Sequence, residues 1–258
     1  MSASRAPLRV LWAGEGEAAV WKPAGLSSER PSLHRDPSPV ARAVESVADA
    51  SAESAIVLAR TQFGWPDAQL PHRLDRPTAG ILMISANRAV AAAHAAEQRE
   101  GRWTKWYVAR LPSSGGAAGG GGARVASDLV GPQRGYLRRR GRLAEVVRSG
   151  GDPARHEVLA VAPAADRRGE SHALLRLGTG RFHQIRALMA HAGFPLVGDR
   201  DYGSRETVRP LELVAVALTI ARAGEGVGIV VDRERVPGCD PALFTRLRAD
   251  LEASRRRD

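Results

Sequence analysis

Short segments with the composition of β-strands follow one another along the chain, and helices separate only some of them. The clearest is Gly80–Ser85, a run of large and β-branched apolar residues typical of a buried strand. Alternating polarity predicts another strand at Thr104–Leu111. Because strands and helices do not alternate regularly, the pattern predicts an α+β fold rather than a doubly wound parallel sheet. The remaining predicted strands span residues 8–12, 18–21, 155–161, 171–177, 211–220 and 228–231.

Four segments have the features of helices. Asn87 is suited to cap an alanine-rich helix that ends near residue 101. A helix from about Arg181 to Ala192 would place His183 and Arg186 together on one face. A short helix at 40–47 and a C-terminal helix with leucines at 243, 247 and 251 are also expected. The apolar stripe of the 181–192 helix is predicted to consist of Phe182, Ile185, Leu188, Met189 and Ala192.

Length and composition predict one soluble domain. The chain has 258 residues, enough for a substantial core, and we expect a single domain over residues 7–258. A Ser/Gly/Ala stretch reads as a flexible insertion at about residues 113–124. No segment approaches the roughly 18 apolar residues of a membrane span, and the N-terminus lacks a secretory signal. With Cys239 as the only cysteine, we expect no disulfide, no cysteine zinc site and a cytoplasmic protein.

The chain is strongly basic. It carries 38 lysines and arginines against 28 acidic residues, a formal net charge of +10 that attracts polyanions. Nearly all of these cations are arginines, since Lys22 and Lys105 are the only lysines. The charge therefore favours a nucleic-acid partner, and the alternative is an arginine-coated surface that only contacts solvent.

One carboxylate lies among cations in the segment 71–80. Prolines restrict the backbone on both sides of it, which predicts a loop. The positive charges of His72, Arg73 and Arg76 favour the ionised form of Asp75, which can then act as a nucleophile or base. The planar guanidinium groups of the flanking arginines are suited to bind phosphate. The alternative is structural, because an aspartate in such a loop often accepts hydrogen bonds from backbone amides.

Five segments together resemble the RluA family of pseudouridine synthases. Their order is that of the family, and the His-Arg-Leu-Asp form of the second segment points to RluA rather than to its relatives. The segments are Val20–Leu26, His72–Gly80, Lys105–Ala109, Thr179–Arg186 and Pro195–Gly203.

The resemblance implies an enzyme that isomerises uridine in RNA to pseudouridine. It also implies one catalytic domain, with a mixed, mostly antiparallel central sheet flanked by helices and loops around an active-site cleft. Asp75 is then the nucleophile or essential carboxylate, Tyr107 the active-site tyrosine, and Arg186 the basic partner of the aspartate. Arg73 is expected to fill the RNA stack when the uridine flips out, since an arginine plane can stack and donate at once.

Other residues of the matched segments are expected to bind substrate, namely His72, Arg181 and His183. We expect a monomer with no metal, organic or nucleotide cofactor, since no metal-ligand spacing or phosphate-binding Gly-Lys-Ser/Thr ending is present. Attack on the sugar, attack on the base and elimination to a glycal all remain open. The target is a stem-loop of ribosomal or transfer RNA.

Three features set this chain apart from the family pattern. Ala79 stands where the family usually has serine, and Val214 replaces the usual histidine, which puts any supporting role of that histidine in doubt. We also expect no separate N-terminal RNA-binding domain, since few residues precede the first strand. The arginine-rich segment 134–142 and the basic C-terminus are candidates to compensate for it.

Two other functions compete with this interpretation. One is an RNA-binding or RNA-chaperone protein that kept the fold but lost turnover, against which Asp75, Tyr107 and Arg186 argue. The other is a carboxylate-dependent glycosidase, which needs two acidic residues in one cleft. The motifs contain one candidate carboxylate, and the basic charge favours a polyanion.

Overall fold

A computed structural model of the protein describes residues 7–29, 53–115, 124–220 and 226–255. The predicted helix at 40–47, most of the Gly-rich stretch and the last three residues lie outside this part of the chain. The chain forms two compact units that divide after Glu100. Within the described ranges, no helix is long and apolar enough to cross a membrane. The single domain over residues 7–258 stays a prediction.

The first unit contains three antiparallel strands, with β2 between the other two. Strands β2 and β3 are almost completely buried, and for β3 this burial was predicted from its apolar sequence. The turn between β1 and β2 contains Gly16, whose φ of 67° lies in the left-handed region that favours glycine. The strands are β1 (Arg9–Gly14), β2 (Glu17–Lys22) and β3 (Ala79–Ser85).

The described residues of the first unit also form two helices, α1 (Ala55–Phe63) and α2 (Arg88–Arg99). The Asn87 side chain accepts a hydrogen bond from the amide of Val90 at 3.1 Å, which confirms the predicted cap of α2. Helix α1 was not predicted. It ends at Gly64, which adopts the left-handed conformation typical of a helix C-terminus.

In the second unit, seven strands pair antiparallel in the order β12-β11-β4-β10-β9-β7-β8, and β5 and β6 form a separate pair. These antiparallel pairings, together with the helices, confirm the α+β prediction. The elements are β4 (Thr104–Pro112), β5 (Ser114–Gly115), β6 (Arg124–Val125), β7 (Gly131–Arg140), β8 (Leu143–Val147), β9 (Asp152–Pro163), β10 (Glu170–Leu177), α3 (Gln184–His191), β11 (Leu213–Ile220), β12 (Val227–Val230) and α4 (Pro241–Arg255).

The arginine-rich segment forms most of the β7–β8 hairpin, which was not predicted. Its inner face packs against α3 in an apolar cluster that contains Leu137, Ala144 and Leu188. A Cβ at Gly135 would lie 2.8 Å from a methyl group of Leu188, so glycine in β7 permits this close approach. The hairpin and α3 therefore form one packed assembly within the second unit.

Helix α3 begins at Gln184, three residues later than predicted. His183 has a φ of 51°, the only positive φ of a non-glycine residue in the described chain. This left-handed backbone conformation is incompatible with the right-handed helix, so the helix begins after His183. Phe182 consequently lies before the helix and is 39% exposed, so its assignment to the apolar stripe was wrong. Ile185, Leu188 and Met189 are buried as predicted.

Candidate active site

The backbone of the Asp75 loop is held by side-chain and main-chain groups of the segment that follows β2. The Ser28 hydroxyl donates to the carbonyl of Leu74 at 2.7 Å and accepts from the Leu74 amide at 3.1 Å. The amide of Gly25 donates to the Arg76 carbonyl at 2.8 Å. Leu74 is buried, whereas Asp75 is half-buried. The loop therefore presents Asp75 from a backbone that is fixed on both sides.

Lys22, at the end of β2, is the buried cation of this loop. Its ammonium group donates to the carbonyls of Pro23, Leu26 and Arg76 at 3.1, 2.7 and 3.2 Å. Burial lowers the pKa of Lys22 to about 8, and the charge of Asp75 opposes that shift. The same attraction favours an ionised Asp75. This role was not predicted, although Lys22 lies in the first matched segment and is one of only two lysines.

The three cations predicted around Asp75 contact other groups in the structure. Arg73 donates to Glu29 at 3.1 Å in an exposed ion pair, and Nε of Arg76 donates to the Gly25 carbonyl. Nε2 of His72 accepts from the Met83 amide at 3.1 Å, so that nitrogen carries no proton. In the structure, His72 connects the loop to β3, and the side chain of Arg73 is 71% exposed.

Tyr107 lies in the middle of β4, between β10 and β11. It is buried, opposite Leu175 on one side and Ala215 on the other. A bulge in β11 follows Ala215, which is where the regular pairing with β4 is interrupted. The far end of β4 is fixed by Arg110, a buried arginine that donates to three carboxylates, those of Asp166, Glu170 and Glu212. A central, anchored strand therefore positions Tyr107.

Arg186 lies on α3 and is almost fully buried. Its Nε and Nη2 donate to the two carboxylate oxygens of Asp199, each at 2.7 Å, and Nη2 also donates to Asp201 at 3.1 Å. Asp199 is buried as well. It follows Gly198, whose φ of 80° and proximity to the Pro210 carbonyl leave no room for a Cβ. No role was predicted for Asp199 and Asp201, although both lie in the fifth matched segment.

His183 connects Arg186 to Tyr202. Its Nε2 lies 2.9 Å from Nη1 of Arg186, and its Nδ1 lies 3.0 Å from the Tyr202 hydroxyl. Since a guanidinium only donates, Nε2 must accept and Nδ1 must carry the proton. Burial lowers the pKa of His183 to about 3, and the charge of Arg186 acts in the same direction. His183 is therefore a neutral residue that orients Arg186, and their predicted proximity is confirmed.

Arg181 is exposed, before α3. Its Nε donates to the Pro153 carbonyl at 3.2 Å, and its amide donates to the Gln184 side chain at 3.1 Å. Groups of the same unit thus hold both its backbone and its side chain. The predicted substrate-binding roles of His72, Arg73, Arg181 and His183 and the predicted pairing of Arg186 with Asp75 stay predictions. Within the described residues, no group of three or more His, Cys, Asp or Glu side chains is arranged to hold a metal ion.

The fold is that of a pseudouridylate synthase domain. The solved structure titled "Human RNA Pseudouridylate Synthase Domain Containing 1" superposes with a TM-score of 0.66 over 95% of each chain, at 22% identity. In sequence, residues 18–191 match the model of the family described as RNA pseudouridylate synthase. The "Dual-specificity RNA pseudouridine synthase RluA" of Salmonella typhimurium is 30% identical over 226 residues, 85% of this chain and 89% of that protein. The "Ribosomal large subunit pseudouridine synthase D" of Pseudomonas aeruginosa is 27% identical over 83% of this chain and 59% of that protein.

This chain belongs to the RNA pseudouridylate synthase family. It is of the RluA type, and as an RNA pseudouridine synthase it is an isomerase that acts on uridine in RNA. The predicted family and reaction are confirmed.

Proposed function

We propose that this chain isomerises uridine in a stem-loop of ribosomal or transfer RNA, with Asp75, Tyr107 and Arg186 as its catalytic residues. The overall reaction conserves all atoms: the bond between N1 of uracil and C1′ of ribose breaks, and a bond between C5 and C1′ forms. C5 loses its proton and N1 gains one. The chemistry thus needs a carboxylate that remains ionised beside the sugar or base, and groups that exclude water while the base turns.

The fixed loop around Asp75 is the observation that carries this proposal. An ionised carboxylate on a clamped backbone, next to the buried ammonium of Lys22, is ready for attack without reorganisation. Arg186 is similarly fixed by Asp199 and by neutral His183. Arg73 has an exposed side chain and a surface ion pair, which are the properties that a residue needs to enter an RNA stack.

The target class is supported by two relatives and by charge. One relative is named as a dual-specificity RNA pseudouridine synthase and another as a ribosomal large-subunit pseudouridine synthase. The net charge of +10 suits a folded polyanion that the protein binds by its phosphates before any base is read. We also propose that the protein works as a cytoplasmic monomer, that residues 7–258 form one catalytic domain, and that the reaction needs no nucleotide cofactor.

The decisive experiment compares Asp75→Asn and Asp75→Ala with wild type on bulk ribosomal and transfer RNA. We expect no pseudouridine from either variant and RNA affinity close to that of wild type. The matched control is Asp67→Asn, which alters an exposed carboxylate of the same unit and should keep full turnover. Turnover by either Asp75 variant would remove Asp75 from its role. Binding without turnover by the wild-type protein would favour the RNA-chaperone alternative.

Pseudouridine mapping in cells with and without the gene identifies the target. A site that disappears from ribosomal RNA, from transfer RNA or from both distinguishes the possible substrates. Loss of a site in neither class would contradict the proposed target class while leaving the assignment of Asp75 to be judged by the variants.

A further inference from the structure

One exposed aromatic side chain of the second unit is part of a stack that the reaction does not explain. Phe182 is 39% exposed, and its ring stacks on that of His183 with a centroid distance of 3.8 Å and an angle of 18° between the planes. The Arg139 guanidinium carbon lies 4.7 Å from the centroid of the Phe182 ring. Three planar groups, one from β7 and two from the approach to α3, thus form a flat assembly that reaches solvent.

The β7–β8 hairpin directs Arg139 to this position. Side chains alternate between the two faces of a strand, so Arg139 shares the face of Leu137, which packs against α3. Arg140 points to the opposite face and pairs with Glu145 at 2.9 Å, with most of its side chain in solvent. Of these neighbouring arginines, Arg139 is therefore the one placed over the Phe182 ring, and it remains exposed there.

The inner end of the stack reaches Arg186. His183, which carries Phe182 on its ring, contacts Arg186 through Nε2 and Tyr202 through Nδ1. The Tyr202 hydroxyl in turn accepts from the Ala144 amide at 2.8 Å, in the hairpin that carries Arg139. A ligand that stacks on the exposed end therefore contacts an assembly that is continuous with Arg186.

We propose that Phe182 and Arg139 form a stacking platform for an unpaired base of the RNA substrate. Aromatic rings and arginine planes are the surfaces on which unpaired bases stack, and this stacking tolerates any base. The surrounding charge fits RNA, since residues 131–147 contain five arginines and one glutamate. The platform rests on the proposed stem-loop substrate, and it adds a contact to a base outside the catalytic residues. Phe182 and Arg139 act in binding and specificity.

The test measures binding, so it does not depend on turnover. The probes are an RNA stem-loop library with a randomised loop and a fully paired duplex of the same length. We expect Phe182→Ala to weaken binding to the stem-loops by about 5- to 100-fold and to leave binding to the duplex unchanged. Phe182→Trp and Phe182→Tyr should restore binding, whereas Phe182→Leu, which is apolar but not aromatic, should not.

Arg139→Ala and Arg140→Ala form a matched pair. Each removes one exposed charge from the same strand, so both should reduce the salt dependence of binding by a similar amount. Only Arg139→Ala should also reduce the preference for stem-loop over duplex, and Arg139→Lys should fail to restore it because an ammonium group has no plane.

An abasic scan of a selected stem-loop locates the base. Removing the stacked base should weaken wild-type binding and have no further effect on Phe182→Ala, as expected when two changes remove one contact. Equal stem-loop affinity of Phe182→Ala and wild type would overturn the platform, and so would wild-type protein that prefers duplex. Loss of thermal stability in Phe182→Ala without a change in affinity would assign the ring a structural role. Turnover on bulk RNA tests the proposed function separately.

Discussion

The buried guanidinium of Arg186 forms two parallel hydrogen bonds with the buried carboxylate of Asp199, thirteen residues further along the chain. Planar bidentate geometry of this kind fixes the orientation of the arginine and not only its charge. Removing Asp199 leaves the buried guanidinium with only the partly exposed Asp201 as a charged partner.

Asp199→Asn should therefore lower the free energy of unfolding, by at most about 3 to 5 kcal/mol because Asp201 still compensates part of the charge. It should also reduce turnover, because Arg186 loses its orientation. Urea denaturation and pseudouridine formation measure the two effects. The control is Asp201→Asn. Because the Asp201 side chain is 41% exposed, this substitution should lower the free energy of unfolding by at most about 1 kcal/mol. Equal stability of Asp199→Asn and wild type would show that the pair does not stabilise the fold.

Arg73→Ala should reduce turnover more than binding, and more on a structured stem-loop than on unstructured RNA. The physical reason is that extruding a base from a stack costs a few kcal/mol, and Arg73 is proposed to fill the gap. Initial rates and affinities on both RNAs measure this. Glu29→Gln breaks the ion pair of Arg73 but keeps the arginine, so it should leave turnover intact. Equal losses on both RNAs would contradict base flipping by Arg73.

The buried Lys22 should make the free energy of unfolding depend on pH in alkaline solution. Burial lowers its pKa to about 8, from 10.5 for an ordinary lysine. Between these values the unfolded chain binds more protons than the folded one, so the Lys22 contribution to stability rises with pH, by up to about 1.4 kcal/mol per pH unit. The difference in unfolding free energy between wild type and Lys22→Met should therefore shift in favour of wild type from pH 8 to pH 10. A constant difference would contradict the lowered pKa.

Two buried histidines, His156 and His172, and the half-buried His183 predict a loss of stability in mild acid. Burial lowers the pKa of His156 and His172 to about 4 and that of His183 to about 3. As pH falls below 6.5 the unfolded chain takes up these protons first, so each histidine costs up to about 1.4 kcal/mol per pH unit. The upper part of this window, from pH 6.5 to about 5, lies above the range in which ordinary carboxylates titrate.

Unfolding free energies at pH 7 and pH 5 test the effect. Replacing buried His156 by glutamine should make the decrease smaller, and His191→Gln, a change at an exposed histidine, should leave it unchanged. An unchanged slope in His156→Gln would show that this histidine does not cause the acid sensitivity.

Most strands could be predicted because burial leaves a local pattern. The apolar run of β3 and the cap at Asn87 are read from adjacent residues, and both agree with the structure. The β7 strand was missed because its one buried large apolar residue, Leu137, lies among exposed arginines. The start of α3 was misplaced because the left-handed backbone of His183 leaves no sign in composition.

The candidate site was predicted in part for a related reason. Asp75, Tyr107 and Arg186 were found because they lie in segments that resemble a family. The partners Lys22 and Asp199 lie in such segments as well, but their contacts join residues 54 and 13 positions apart. The periodicity of neighbouring residues does not reveal contacts between residues so far apart in the sequence.

The way in which the Asp75 loop is held has a consequence for how this enzyme can vary. Lys22, Ser28 and Gly25 bind main-chain carbonyl and amide groups of the loop. Every residue type has these main-chain groups, except that proline lacks the amide hydrogen. Side chains at positions such as 73 can therefore be exchanged without moving the backbone that presents Asp75. Mutation, whether in nature or in the laboratory, can thus change the side chains that the loop presents while the carboxylate of Asp75 keeps its place.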